Sequence, residues 1–358
     1  MILLLMKDSY QSFCSLPVVP EKKFDSDISP ERVELIRILN PIWVNGTIIH
    51  YYFFDNVEWG TNDETQKNIV RNAFKEWKDL DIGLEFEEVQ SAGAAEIRIG
   101  FKKNRRSYTT SLGRGILETG ENLPNMNFGW DLSRPGESDT ALHEIGHALG
   151  FPHEHQNPNA GFVWDEEKAY QYYTTTQGWP PDVIYHNVLR KLSRDEVTGT
   201  NWDANSIMHY PVAPGLILQP EQFGQNGIDP NPGLSQKDKD QVKLFYPLID
   251  NIDYPELAFL ECKHFSIAPG EQVNFTLRPQ FSNDYNIRTI GGSDIVMVLF
   301  EKDNANLRFI AGDDDSGTNQ NASINTRLIA GREYVLRIRL YSQFTTGGTS
   351  VIWSQDLS

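Results

Sequence analysis

The run His143-Glu144-Ile145-Gly146-His147-Ala148-Leu149-Gly150-Phe151-Pro152-His153-Glu154-His155 restricts this chain more than any other stretch. His143 and His147 are four residues apart, so on a helix their imidazoles project from one face, one turn above the other, and can share an ion. Glu144 adjoins the first of them, where its carboxylate can reach a water on that ion without ligating the metal, as a general base must. A helix continued past Gly150 would carry the chain away from the ion. A glycine takes the left-handed conformation that ends the helix and turns the chain, and His153 can then supply a third nitrogen. Three neutral imidazoles leave the fourth position of a tetrahedral zinc ion open to water. Zinc lowers the pKa of that water to about 7 and polarises a bound carbonyl. The pattern predicts a catalytic zinc site in a hydrolase.

A bare H-E-x-x-H also occurs on ordinary amphipathic helices. Gly150 and His153 at their offsets, and Ser138 placed to cap the helix, tell against that reading. The run from His143 to Glu154 resembles the signature of the astacin-like metzincin metallopeptidases, in which phenylalanine follows the glycine and glutamate follows the third histidine, as Phe151 and Glu154 do here. Farther on, Ser206-Ile207-Met208-His209-Tyr210 resembles the family's Met-turn, whose methionine forms an apolar floor beneath the ligands. The resemblance assigns that floor to Met208 and structural support to Gly150 and Glu154. It gives Tyr210 the part of a tyrosine that ligates the metal at rest and swings away to stabilise the oxyanion. Taken without the upstream run, the two read as a core methionine beside a half-buried tyrosine. The resemblance implies a zinc-dependent endopeptidase with one catalytic zinc ion on His143, His147 and His153, Glu144 as base, and proteins or peptides as substrates. The alternative is a non-catalytic or latent zinc-binding protein whose C-terminal half serves adhesion or binding.

A chain of 358 residues, 39% hydrophobic and 23% charged, can bury a substantial core and points to two domains. With 49 acidic and 32 basic side chains, a net charge of -17 repels polyanions, which argues against nucleic acid or an anionic membrane as partner. No run is long enough to span a membrane, and a monomer is expected. Ile2-Leu3-Leu4-Leu5-Met6 is apolar but short for a signal-peptide core, lacks a basic leader and meets Lys7-Asp8 at once. The family resemblance nevertheless implies a secreted or extracellular enzyme.

Cys14 and Cys262 are too few for the two disulfides of animal astacins, which points to a microbial branch. Nothing in the spacing supports a bridge between them. Cys14 lies in a proline-bounded segment, Ser12 to Pro20, upstream of the expected catalytic domain, and its thiolate is a candidate latency ligand for the open zinc position. The competing reading is a free, partly buried cysteine.

The organisation expected is an N-terminal, pro-segment-like stretch (1–40), an α+β metzincin-like catalytic domain (41–250) with a twisted sheet, long helices and zinc in its cleft, and an all-β antiparallel sandwich (255–358). Ser29 and Pro30 open a short helix to about Leu39. Strands are expected at Ile48–Phe54, Leu84–Val89 and Glu96–Phe101, and a long amphipathic helix from near Asn62. The family resemblance implies a sheet edge bordering the cleft that binds substrate as an added strand, placed here within Gly115–Trp130. Pro158–Asn205 reads as irregular apart from a helix near Asp165–Tyr173, and Leu234–Asp238 caps a helix to about Tyr246. His50, His155, His186, His209 and His264 read as structural or surface residues. In the C-terminal half, strands alternate with turns at Pro269-Gly270, Gly291-Gly292, Ala330-Gly331 and Gly347-Gly348. Asp313-Asp314-Asp315 could help to hold a calcium ion, but the turn lacks the glutamate of an EF-hand loop, and a solvent-facing acidic turn is the competing reading.

Overall fold

The architecture comes from a computed structural model that describes residues 13–17, 42–43, 45–104, 106–192, 201–248, 254–268, 271–303, 306–314, 316–318, 321–341 and 346–355. The expected helix at Ser29–Leu39 and the Pro269-Gly270 turn lie outside these residues. The chain divides into two compact units, one drawn from 1–22, 50–79 and 87–241, the other from 23–49, 80–86 and 242–358.

One five-stranded sheet comprises β1 (Ile48–Phe53), β2 (Glu85–Glu88), β3 (Ile97–Gly100), β4 (Tyr108–Thr109) and β5 (Met126–Asn127), in the order β2-β1-β3-β5-β4. β1 and β3 run parallel, with Phe53 opposite Ile99, whereas β4 is antiparallel to β5. Edge strand β4 lies upstream of the expected interval: residues 126–127 form an inner strand, and Gly113–Glu118 is a 3-10 helix. A two-residue strand carries no alternation that a sequence could display.

Helix α1 (Glu64–Lys78) begins where the Asp63 carboxylate accepts the Thr65 N–H at 2.9 Å. Val70, Ala73, Phe74 and Trp77 recur at helical spacing and are buried. Tyr51 of β1 stacks on Phe74 at 4.3 Å. Helix α2 (Asp139–Ala148) carries the first two histidines, and Trp77 Nε1 of α1 donates to Leu142 O at 3.1 Å. Ser138 stands at the N-cap, but its backbone is already helical and its hydroxyl makes no capping bond. At the other end Gly150 has φ 99, Phe151 N–H donates to Gly146 O at 3.0 Å and Gly150 N–H to His147 O at 2.9 Å. These are the two bonds of a Schellman cap.

After α2 come an antiparallel two-stranded pair, β6 (Val163–Trp164) with β7 (Ile217–Gln219), and helices α3 (Glu166–Gln177), α4 (Pro181–Ile184), α5 (Glu221–Asn226) and α6 (Gln236–Phe245). α4 runs into a π-helical turn, Tyr185–Leu189, so this region is more helical than expected. Pro181 is at the first turn of α4, where a missing N–H is harmless.

The second unit is dominated by a β-sandwich. One sheet orders β8 (Lys263–Ile267), β10 (Asn283–Gly291), β13 (Ser323–Leu328) and β15 (Gly347–Gln355) as β13-β10-β15-β8. The other orders β9 (Gln272–Leu277), β11 (Ile295–Asp303), β12 (Asn306–Asp313) and β14 (Glu333–Leu340) as β12-β11-β14-β9. All pairings are antiparallel. Ile287, Leu299, Leu336 and Trp353 fill the space between the sheets. Gly347-Gly348 opens β15 rather than making a turn. The Asp313 carboxylate accepts the backbone N–H groups of Ser316 (3.1 Å) and Ser323 (2.7 Å), so it shapes the turn and nothing gathers there as a calcium site among the described residues. No helix among the described residues is long and apolar enough to cross a membrane.

Candidate metal centre

His143 and His147 project from one face of α2, their ring centroids 4.6 Å apart, and the turn made by Gly150 brings His153 back so that its ring lies 4.6 Å from that of His147. The His147 and His153 Nε2 atoms are 3.1 Å apart. Two nitrogens on a tetrahedral zinc with bonds of about 2.0–2.1 Å lie about 3.3–3.4 Å apart, so the spacing fits. His143 Nδ1 is bound to Ile207 O at 2.7 Å and His147 Nδ1 to Phe151 O at 2.8 Å, which orients each ring and leaves Nε2 for a metal. His143 Nε2 is buried without a hydrogen-bond partner. Burial holds the imidazoles neutral, pushing His143 down to about 4 and His147 and His153 well below the usual range. Neutral nitrogens are what metal ligation requires.

Cys14 completes the cluster: its Sγ and one ring nitrogen from each of the three histidines all lie within 4.8 Å of one another. Both readings of Cys14, a ligand and a free buried cysteine, agree with its burial, and its thiol also lies in hydrogen-bonding reach of Glu144 and Tyr210. Cys262 is exposed and both cysteines are free. Burial and then the neighbouring Glu144 raise the Cys14 thiol well above its usual range, and a bound divalent cation would reverse that preference. Glu144 is fully buried beside the cluster; its Oε2 is 2.8 Å from the Thr109 hydroxyl, its Oε1 has no hydrogen-bond partner, and burial raises it to about 8.

The segment carrying Cys14 is bound like a strand. Cys14 bridges Ser107 in parallel fashion, and Ser15 N–H donates to Ser107 O at 3.1 Å. Leu16 is held through both backbone groups by Asn187, whose Oδ1 accepts its N–H at 2.8 Å and whose Nδ2 donates to its carbonyl at 3.0 Å. The Tyr210 hydroxyl donates to the Cys14 carbonyl.

Beneath the histidines, Met208 Sδ would lie 2.4 Å from a Cβ at position 146, so Gly146 gives the methionine its place. Met208 O accepts the Glu154 N–H at 2.9 Å, and Glu154 Oε1 accepts the Asp203 N–H at 2.9 Å, joining the third-histidine loop to the Met-turn region. Asp238 of α6 secures the turn from below, taking the Ser206 hydroxyl at 2.6 Å and the Ile207 N–H at 2.8 Å. His155 stacks on Tyr210 at 4.5 Å, but its Nε2 is bound to Asn187 O at 2.7 Å, and it is outside the ligand cluster. His209 is buried, His50 pairs with Glu96 at 3.1 Å and His264 is on the surface. Thr109, Asn187 and Asp238 were not expected at the site; their roles depend on contacts across the fold, with no local signature. Phe13, beside Cys14, is buried too.

Residues 37–215, half of the chain, match the peptidase family described as Astacin. The solved structure of myroilysin is 31% identical, with 57% of this chain and 95% of that one aligned and a TM-score of 0.51. Nematocyst expressed protein 6 of Nematostella vectensis is 26% identical over 220 residues, which is 57% of this chain and 65% of that protein. Karilysin of Tannerella forsythia is 29% identical over 175 residues, 44% of this chain and 32% of that protein. The chain thus spans less than two thirds of the length of either curated relative. The family match and the likeness to myroilysin agree with the histidine cluster: the chain belongs to the astacin family of metallopeptidases.

Proposed function

We propose that the protein is a zinc-dependent endopeptidase that hydrolyses peptide bonds in proteins and is held latent by Cys14. The observation that carries the reading is the buried cluster of His143, His147, His153 and Cys14 with the Glu144 carboxyl against it. When bound, zinc supplies Lewis-acid polarisation of the scissile carbonyl and acidifies the attacking water. Glu144 takes the proton from that water and delivers it to the leaving amine. Thr109 holds one carboxyl oxygen in place while the other, Oε1, stays free for the proton transfer. Tyr210 donates a hydrogen bond to the oxyanion as it forms; its bond to the Cys14 carbonyl supports this role, since that carbonyl is a peptide oxygen beside the cluster. In the latent chain, the Cys14 sulfur fills the position that attacking water needs, and the backbone bonds at Ser107 and Asn187 keep it there.

The catalytic region is taken as 41–250 and the sandwich, 255–358, as an accessory domain. The enzyme acts as a monomer outside the cell, in keeping with its family.

Casein hydrolysis by the zinc-loaded full-length chain tests the reading. Cys14→Ala should raise the rate at least roughly tenfold, a barrier change of about 1.4 kcal/mol. Adding Glu144→Gln should lower it by about 10²–10⁴-fold with zinc still bound, the usual contribution of a general base. An unchanged rate in Cys14→Ala would remove the latency role. An active Glu144→Gln protein would remove the base.

A further inference from the structure

The catalytic chemistry leaves one feature of the bound segment without a role, the side chain of Phe13. It is 5% exposed and its ring packs against Tyr173 (5.5 Å, 70°), Trp179 (6.4 Å, 67°) and Tyr210 (5.3 Å, 52°). Tyr173 and Trp179 stack on each other at 5.8 Å and 10°, and Ile184 and Val188 belong to the same buried cluster. Edge-to-face packing of this kind is selective for a flat aromatic side chain. Tyr210 is shared, since its other neighbours are His153 (4.4 Å) and His155 (4.5 Å), so the aromatic surroundings that Phe13 fills adjoin the histidine cluster.

Phe13 reaches these surroundings as part of an extended peptide. The next residue delivers a carbonyl to Tyr210 and bridges Ser107, and Leu16 is gripped at both backbone groups by Asn187. Main-chain bonds to a sheet edge, with side chains in pockets, are one way in which a protein binds an extended peptide. Resting on the peptidase reading, we propose that the Phe13 cavity is the enzyme's own substrate pocket: once the segment leaves, it takes an aromatic or large apolar side chain next to the scissile bond. Phe13 is the stand-in for that residue. A single methylene in an apolar pocket is worth about 10–200-fold in kcat/KM, so phenylalanine over alanine should be favoured by roughly 10²-fold or more.

The test uses the zinc-loaded full-length Phe13→Ala/Cys14→Ala protein, in which the segment has neither plug nor ligand. Bonds cleaved in unfolded casein are mapped by mass spectrometry. The expected result is that phenylalanine, tyrosine, tryptophan or leucine dominates one position flanking the cut, at least roughly tenfold over alanine and the charged residues. Trp179→Leu in that background should raise KM for such sites and erode the preference, with Trp179→Phe as the milder change should the first not fold. Cleavage without that preference, or a preference indifferent to Trp179, overturns the proposal and leaves the peptidase intact. A binding arm needs no catalysis: N-acetyl-phenylalaninamide, but not N-acetyl-alaninamide, should raise the Tm of full-length Phe13→Ala. Equal effects of the two overturn the pocket. Selective binding with no cleavage by the zinc-loaded protein overturns the peptidase reading instead, and with it any substrate for the pocket.

Discussion

The metal centre and the sandwich bury side chains of opposite kinds. Around the metal centre His143, Glu144, His147, His153, His155 and His209 are all buried, several with a ring nitrogen or carboxyl oxygen that finds no partner. The sandwich buries Leu299, Leu336, Ile338 and Trp353, with Phe275 and Tyr285 among them. Among the described residues of its strands, Arg337 is the only charged side chain to be buried. It is fully partnered, donating to Asn274 Oδ1 at 2.6 Å and to the Asn45 carbonyl, with its guanidinium 5.2 Å from the Phe300 ring. Orphaned polar atoms destabilise a fold unless something outside the chain satisfies them. The sandwich also leaves Asn286 Oδ1 and Asn321 Oδ1 unpartnered, so the contrast lies in the gathering of imidazole nitrogens at one point of the metal centre.

Removing the metal should divide the two most strongly. Chelation is expected to abolish hydrolysis and to speed amide exchange in α2 and the Met-turn while the amides of β11 and β14 keep their protection. Uniform loss of protection would erase the comparison. Trp353→Ala should do the reverse. Its ring is 2% exposed and its Nε1 donates to Leu257 O at 2.9 Å. Truncation should destabilise the sandwich by about 3–5 kcal/mol in denaturant titration, with zinc stoichiometry unchanged. Thr109→Val is the smallest change and the sharpest probe of the site. Losing one hydrogen bond to the Glu144 carboxyl, about 1 kcal/mol, should lower kcat roughly fivefold, alter KM little and leave Tm nearly constant. A large drop in Tm with unchanged kcat would make Thr109 merely structural.

How legible each region is in the sequence follows from how local its determinants are. The histidine run carries its own helix and turn within a few residues, so the three clustered histidines and the Gly150 turn are readable there, while Met208 is readable from its own short segment, and the structure packs it against the histidine helix. The sandwich strands are readable from their alternation, although Gly347-Gly348 looks like a turn and is strand. Edge strand β4 is not, because two residues cannot show a period. The helical stretch at 181–189 is hidden by Pro180-Pro181, which reads as a loop although its second proline starts a helix. Asn187 and Leu16 are 171 residues apart, and no local pattern announces such a clamp. Cys14 stands out by its upstream position; its neighbour Phe13 does not, because the ring acquires meaning only from Tyr173, Trp179 and Tyr210.

X-ray absorption at the zinc edge of the full-length protein tests the central claim most directly. The account predicts three nitrogen neighbours at about 2.0–2.1 Å and one sulfur at about 2.3 Å, with the sulfur lost in Cys14→Ala. A spectrum with no sulfur neighbour in the unaltered chain would contradict it.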